Sequence, residues 1–440
     1  MKILLRNVVL LLCFALFFLG GNVAYAQDSL YQDLPKTWNL KACINYAKKN
    51  NITINNLKLS SKSAEQDLIA SKAAKLPNLT ASVTQNAANY NTGIESSSGY
   101  GVNSSITLLN GGYLNNDIRS KKLSQQVANL SVASAENDVT LQITQAYLNI
   151  LLTRENITYL NDLLNTSKAQ VAQGDQQFTI GTIAKNDLLQ LKAAMANDNY
   201  TLVTAQNQLQ QNILTLKQLL QLPTRIPFEV AVTDTAKINE KLMDLGTAQE
   251  KALQTRPEVR GGELNVQLQT SEMEKAKASI RPVLSLGGSL SSGYNSTSFG
   301  SYPNQLNNGF NQGLGLTLSI PIFDRKVTRT NVAKANIGIQ EAKLSLLNTK
   351  TTLTQAVEMA YLNVQNANSQ YDAAKEQFVY TSESLRISAE QLRLGVNNTV
   401  AYLQQKNLYI QALQAFVQAK YTANLYTKIY DFYTGVPITE

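Results

Sequence analysis

The chain repeats one plan twice, and each copy contains a stretch too long and too regular to be anything but an extended helix. From Tyr113 to Phe178 apolar residues recur every seven positions: Ile143, Ile150, Ile157, Leu164, Val171 and Phe178. Three residues after each of the first five stand mostly small side chains, namely Ala146, Thr153, Leu160, Ser167 and Gly174. No proline occurs from Asn78 to Leu222, as an uninterrupted helix requires. A strict seven-residue apolar repeat makes helices wind left-handedly around neighbours, and small companions let those neighbours approach closely. The same register returns as Val357, Val364, Tyr371, Phe378, Leu385 and Leu392, with companions Ala360, Ala367, Ala374, Thr381 and Ser388. One long packed rod is therefore built twice.

The elements around the rods repeat as well. Residues 27–39, with Pro35 and Trp38, suit a short extended segment packed on another surface. A helix is expected from about Leu40 to Lys75, ended by Pro77. The period then changes to two. Leu79, Ala81, Val83 and Ala87 alternate with Thr80, Ser82, Thr84 and Asn86. After a loop at Asn91–Gly99, Tyr100, Val102, Ser104, Ile106 and Leu108 alternate with small polar residues. This predicts a hairpin with strands at about 79–90 and 100–109. Asn110-Gly111-Gly112 ends it, the long helix follows, and a turn at Gly181 leads to a helix from about Asn186 to Gln221. Residues 224–244 read as a linker of low periodicity.

The second copy runs from 245 to 440, matching 40–223. A helix is expected over about Leu245 to Ser279, and Pro282 stands 205 residues after Pro77. Strands follow at about 283–294 and 312–321. From there the offset is constant at 214: Ala146-Tyr147-Leu148 matches Ala360-Tyr361-Leu362, Gly181 matches Gly395, and Pro223 matches Pro437. The change of offset falls in the hairpin loop, where an insertion costs least. At about 1.5 Å per residue the long helix measures about 100 Å and the flanking helices about 55 Å each. Two short helices stacked end to end match one long one. Each repeat becomes a two-stranded rod, with both hairpins at one end and the turns at Gly181 and Gly395 at the other.

The hairpins point to a membrane. Ten-residue strands with dyad alternation suit a bilayer-spanning barrel, and Tyr90, Tyr100, Tyr294 and Tyr302 stand where an interfacial belt belongs. One face is apolar; the other is nearly all Gly, Ser, Thr and Asn, which suits a wet lumen. Four strands cannot close a useful barrel, and lipid does not tolerate open edges. The chain is therefore expected to oligomerise through its strands, and three copies make twelve strands with the rods continuing as a helical tube. The expected fold class is mainly α with a membrane β-barrel.

Composition excludes much else. Histidine is absent, which removes the commonest general base and metal ligand. No nucleotide-binding loop or nucleophile elbow occurs. No enzyme activity, cofactor or metal is expected. The net charge is +8, two units of it from Lys2 and Arg6, and the lysines are scattered at helical spacing, so no nucleic-acid partner is expected. Lys2 and Arg6, the apolar block Val8–Leu19 and Ala24-Tyr25-Ala26 read as a secretory signal over residues 1–26. Beyond it Cys43 is the only cysteine, read as a buried small hydrophobe.

The two turns carry a family resemblance. They read Gln177-Phe178-Thr179-Ile180-Gly181-Thr182-Ile183-Ala184-Lys185-Asn186-Asp187-Leu188-Leu189-Gln190 and Leu392-Arg393-Leu394-Gly395-Val396-Asn397-Asn398-Thr399-Val400-Ala401-Tyr402-Leu403-Gln404. Together with Leu40-Lys41-Ala42, Ala47, Asn50-Asn51 and Lys75-Leu76-Pro77-Asn78-Leu79, this order resembles the TolC-like outer membrane efflux proteins over nearly the whole chain. The resemblance implies a homotrimer in the cell outer membrane, with a twelve-stranded barrel and a periplasmic α-helical tunnel. It also implies a periplasmic adaptor at the tunnel tip, joined to an inner-membrane pump. Carried onto this chain, the docking surface centres on Gly181, Thr182, Gly395, Val396, Asn397 and Asn398. Where some members place aspartates after the second turn, this chain has Ala401 and Gln404. Asp187 follows the first turn, where a carboxylate also favours a helix N-terminus. Closure of the entrance is then expected to rest on Asn397, Asn398, Tyr402 and Gln404. The expected function is a passive exit duct for small molecules or drugs. Type I protein secretion and a non-conducting periplasmic rod are the alternatives.

Overall fold

The structure, a computed structural model, describes residues 34–91, 93–223, 225–231, 242–436 and 438. The signal over 1–26, the first part of the extended lead, most of the linker and Pro437 lie outside the described residues. Strand β1 (Thr37–Trp38) is followed by helices α1 (Leu40–Asn50) and α2 (Ile52–Ala73) and strands β2 (Asn78–Tyr90) and β3 (Gly93–Asn110). Then come the long α3 (Tyr113–Thr179), α4 (Lys185–Leu220) and strand β4 (Glu229–Val230). The second round is α5 (Leu245–Thr255), α6 (Pro257–Ala278), β5 (Val283–Asn295), the short α7 (Tyr302–Asn308), β6 (Asn311–Ser319), the long α8 (Val327–Arg393) and α9 (Thr399–Tyr433). Helices α3 and α8 have 67 residues each.

Each helix expected before a hairpin is in fact two. Asn51 ends α1 in an extended conformation and caps α2, its side chain accepting from Ile54 N at 3.2 Å. Arg256 takes the same place in the second copy, ahead of Pro257 at the first helical position, and a residue before proline is held out of the α region. The break serves a junction. Gln221, with φ +57, closes α4, and its side chain accepts from Ile52 N at 2.9 Å. Thus α4 and α2 meet end to end along α3. In the second copy Gly435 has φ +81, and the Arg256 guanidinium lies 4.7 Å from the Phe432 ring centroid at the end of α9.

The lead and linker also hold structure not visible in their composition. Strands β1 and β4 pair in parallel, Trp38 beside Val230. The Trp38 ring packs edge-on to Tyr46 at 5.2 Å and against Phe228 at 5.4 Å. These join Cys43, Ile143, Ile150, Leu216 and Leu220 in one core. Burial pushes the Cys43 thiol up to about 12, so it stays protonated at neutral pH and unreactive. A maleimide or disulfide reagent at neutral pH is expected to leave Cys43 unlabelled until the chain is denatured. Rapid labelling of the native protein would contradict this core.

The heptad rows behave unequally. On α3 both Ile143 and Ile150 are fully buried, and all five companions, small but for Leu160, are buried with them. Gly174 shows why small residues matter: a Cβ there would lie 2.9 Å from a methyl of Leu191 on α4. On α8, Val357 and Val364 are buried, but Tyr371, Phe378, Leu385 and Leu392 are only partly covered. The lower half of α8 leaves part of its seam open in a single chain.

Candidate functional site

At the far end from the hairpins, the two turns share one geometry. Gly181 N and Thr182 N donate to Phe178 O and Gln177 O at 3.0 and 2.8 Å. Gly395 N and Val396 N donate to Leu392 O and Gln391 O at 3.1 and 2.9 Å. The glycines have φ of +78 and +72. A Cβ on either would meet nothing within 4 Å, so backbone conformation alone demands glycine there. The turns expose apolar side chains: Ile180 at 73 % and Leu394 at 61 % in matched positions, and Val396 at 76 %, where the first turn has Thr182. Sequence reasoning centred on the glycines and missed Ile180 and Leu394. Their apolar type at the tightest point of a polar turn was the available signal.

The entrance residues do not gather into one cluster within the chain. Asn397 Nδ2 reaches back to Ser388 Oγ on α8 at 3.3 Å. Asn398 caps α9, its Oδ1 accepting from Ala401 N at 2.8 Å. Ala401 is half-buried, Gln404 is exposed, and Asp187 lies half-buried in the first turn of α4. Tyr402 is buried, and its hydroxyl bonds Gln170 on α3. It belongs to the seam between the two repeats.

That seam holds a group no motif announced. Lys406 of α9 and Asp198 of α4 form an ion pair at 2.5 Å, their side chains only 2 % and 4 % exposed. Lys406 Nζ also donates to Ser167 Oγ of α3 at 2.8 Å, and that hydroxyl lies 2.5 Å from Asp198 Oδ2. Three helices from both repeats are clamped at one point. The sequence signal was a charge inside an apolar stripe: Asp198 continues the row Leu188, Leu191, Leu202, Ala205. Two more pairs cross the same boundary. Lys420 meets Glu155 at 3.1 Å, and Lys275 meets Asp117 at 3.2 Å. All three put the lysine on the second repeat and the acid on the first.

At the opposite end the four strands form one antiparallel sheet in the order β2-β3-β5-β6. The hairpins have identical registers: Asn78 pairs with Ser105 as Val283 pairs with Ser319, 205 and 214 residues on. Between them Asn103 faces Ser289 and Val102 faces Leu290. One face carries Leu79, Val83, Val102, Ile106, Leu286, Leu290, Leu314 and Leu316. The other carries Thr80, Ser82, Thr84, Asn103, Ser289 and Thr317. In the chain by itself β2 and β6 each leave one edge unpaired. Among the described residues no group of three or more His, Cys, Asp or Glu is placed to hold a metal. No described helix is long and apolar enough to cross a membrane.

A family model described as outer membrane efflux protein matches residues 43–221 and 248–425, one segment in each repeat. The chain belongs to the outer membrane efflux protein family. Family membership implies the outer membrane as its location, and the family consists of channels rather than enzymes. Toxin and drug export protein A of Aggregatibacter actinomycetemcomitans is 23% identical over 257 residues, covering 58% of this chain and 53% of that protein. Outer membrane protein TolC of Escherichia coli (strain K12) is 23% identical over 282 residues, covering 59% and 54%. The chain spans about half the length of the curated relatives it matches. The Campylobacter jejuni CmeC outer membrane channel superposes with a TM-score of 0.79 over 94% of this chain and 91% of that one, at 19% identity. The efflux-family match divides where the duplication divides, so each repeat carries the family pattern independently.

Proposed function

We propose that three copies of this chain close into a passive export duct, with a twelve-stranded barrel in the outer membrane and a helical tunnel below it. The observation that carries this reading is the sheet itself. Its inner seam, β3 against β5, shows how one repeat's hairpin joins the next. The same joint applied to β6 of one copy and β2 of another uses both open edges, and closure satisfies every backbone group in lipid. Shifting each residue of the β3–β5 pairing by its repeat offset puts Thr317 opposite Thr84 of the next copy and Leu318 opposite Val83. Apolar then meets apolar and polar meets polar around the ring, as alternation requires.

That register is testable. Thr317→Cys together with Thr84→Cys is expected to yield disulfide-linked dimers and trimers on mild oxidation, since opposed Cβ atoms lie about 4.5–5.5 Å apart. Thr317→Cys with Gln85→Cys places the thiols on opposite faces and is expected to yield none. Cross-linking by the shifted pair alone would refute the register. The same trimers in a planar bilayer should conduct ions; a tight, non-conducting trimer would favour a structural rod.

The tip, with Gly181, Thr182, Ile180 and Leu394, Gly395, Val396, Asn397 and Asn398, is the surface we assign to a periplasmic adaptor that connects to an inner-membrane pump. Its exposed apolar residues on rigid turns suit a coiled-coil partner. A photo-crosslinker at Val396, which leaves the Asn398 cap intact, is expected to capture the adaptor in cells. No periplasmic capture from an intact trimer would remove the assignment. The cargo we infer is small toxic molecules, in keeping with a relative named for toxin and drug export. Apart from Glu95 near the rim, paired with Ala88, the lumen face is neutral and small and selects little, so the pump chooses the cargo. Recovery of a protein-secreting pump with the adaptor would favour protein cargo instead.

A further inference from the structure

The second hairpin does not end in a plain loop. Between β5 and β6 the chain forms α7, and α7 folds back onto one side of the sheet. Tyr302 packs against Tyr294 with ring centroids 4.9 Å apart and the rings tilted by 48°, and its hydroxyl meets the Tyr100 hydroxyl at 2.5 Å. Ser292 Oγ donates to Leu306 O at 2.5 Å. Gln305 fastens the turn before the helix: its Nε2 donates to Ser298 O and Gly300 O at 3.0 Å each, and its Oε1 accepts from Asn295 N at 2.9 Å.

Strand alternation identifies the side. Ser292 and Tyr294 share a face with Leu290 and Leu286, and Tyr100 sits opposite Ser292 on β3. That face is the apolar one. The segment therefore packs on the outside of the sheet, away from the Ser/Gly/Thr/Asn face. Its composition continues the apolar face to the rim. From Pro282 to Phe323 no residue is charged. Phe299 is 103 % exposed, without cover in the chain, and Phe310 is 58 % exposed. Asn304, Asn307 and Asn308 add neutral donors and acceptors beside them. Exposed aromatics with neutral amides, and without charge, are the chemistry of the boundary between headgroups and acyl chains.

We propose that Thr297–Phe310 is a membrane-interface anchor that folds outward onto the lipid-facing side of the barrel and leaves the lumen mouth open. The partner is the bilayer interface itself, and the anchor rests on the barrel reading above. Three anchors in a trimer fix the depth of the barrel and keep the β5–β6 loops from capping the exit.

The test uses tryptophan fluorescence of the full chain in two sets of vesicles, of phosphatidylcholine brominated near the headgroup end and at the middle of its acyl chains. Trp38 is the only native tryptophan, buried in the helical body, so the unsubstituted protein supplies the background. Phe299→Trp and Phe310→Trp are made separately, with Leu316→Trp on the apolar face of β6 as a reference. The anchor predicts loss of emission in brominated lipid, relative to plain lipid, for the reference and for both loop variants, with little quenching by aqueous iodide. Quenching of Leu316→Trp by bromine, with both loop variants quenched only by iodide, overturns the anchor and leaves the barrel standing. A Leu316→Trp signal insensitive to bromine overturns the barrel reading, and the anchor with it.

Discussion

Asp198→Ala is expected to cost about 3–5 kcal/mol of stability, because it leaves the Lys406 ammonium buried without a counter-charge. The pair's side chains are 2 % and 4 % exposed, so water cannot replace the lost carboxylate. Ser167 Oγ, 2.8 Å from Lys406 Nζ, is a neutral partner and compensates only in part. Lys406→Met is expected to be harmful for the converse reason. The double variant Asp198→Leu with Lys406→Met should recover most of the loss, since apolar side chains of similar volume often substitute for a buried ion pair without penalty. Chemical denaturation followed by circular dichroism, arranged as a double-mutant cycle, measures this coupling. Single variants that unfold with the wild type would show that the clamp contributes nothing.

The clamp also distinguishes two kinds of seam in the proposed trimer. The repeat offsets give the positions that would stand at the seam between copies for each of these lysine–acid pairs. Lys406 corresponds to Lys192, but Ser167 and Asp198 correspond to Thr381 and Ala412. Lys192 turns instead to Asp175 within its own repeat, at 2.9 Å. Glu155 corresponds to Ser369 and Lys420 to Gln206, so the second pair is absent there too. Within one chain the two repeats are tied ionically, whereas in the proposed trimer the positions of the Lys406–Asp198 and Lys420–Glu155 pairs hold no opposite charges between copies.

Leu316→Arg carries the second large effect. Leu316 lies mid-strand on the apolar face, opposite Leu286, and an arginine on the lipid side of a barrel at mid-depth costs about 2–4 kcal/mol. The expected result is reduced folding yield into vesicles and a lower unfolding midpoint. The adjacent Thr317→Arg points the same charge to the polar face. It should fold nearly as well as the wild type and shift the channel's ion selectivity toward anions. Equal tolerance of both substitutions, or the reverse order, would mean that the two faces have been assigned backwards.

Much of the fold was legible because periodicity is local. The helix read from Tyr113 to Phe178 is α3 to within a residue at its end, the returning heptads marked the later part of α8, and dyad alternation located four strands. The misses have equally local causes. The single helix expected over Leu40–Lys75 breaks at Asn51, whose capping side chain looks like any other polar residue until its partner Ile54 N is seen. β3 begins at Gly93 because the Gly/Ser-rich stretch read as a loop pairs continuously with β2, and small residues suit a lumen face as well as a turn. β1 and β4 are two residues each, too short to show a period. At the tip, the glycines were legible from the paired turns, while the roles of Tyr402 and Asn398 were not. One faces Gln170 in the other repeat and the other caps its own helix.

By itself the sequence determined the duplication, the order of elements, the lengths of the rods and which face of each strand is apolar. All of these follow from backbone periods and from where proline and glycine fall. Only the tertiary structure decided what each face meets: that α4 and α2 abut at Gln221, that α7 packs on the apolar face of the sheet, and that Asp198 finds Lys406. A period reports which side of an element avoids water. It says nothing of the surface that covers that side, because that surface can lie far along the chain: 169 positions separate Ile52 from Gln221, and 208 separate Asp198 from Lys406.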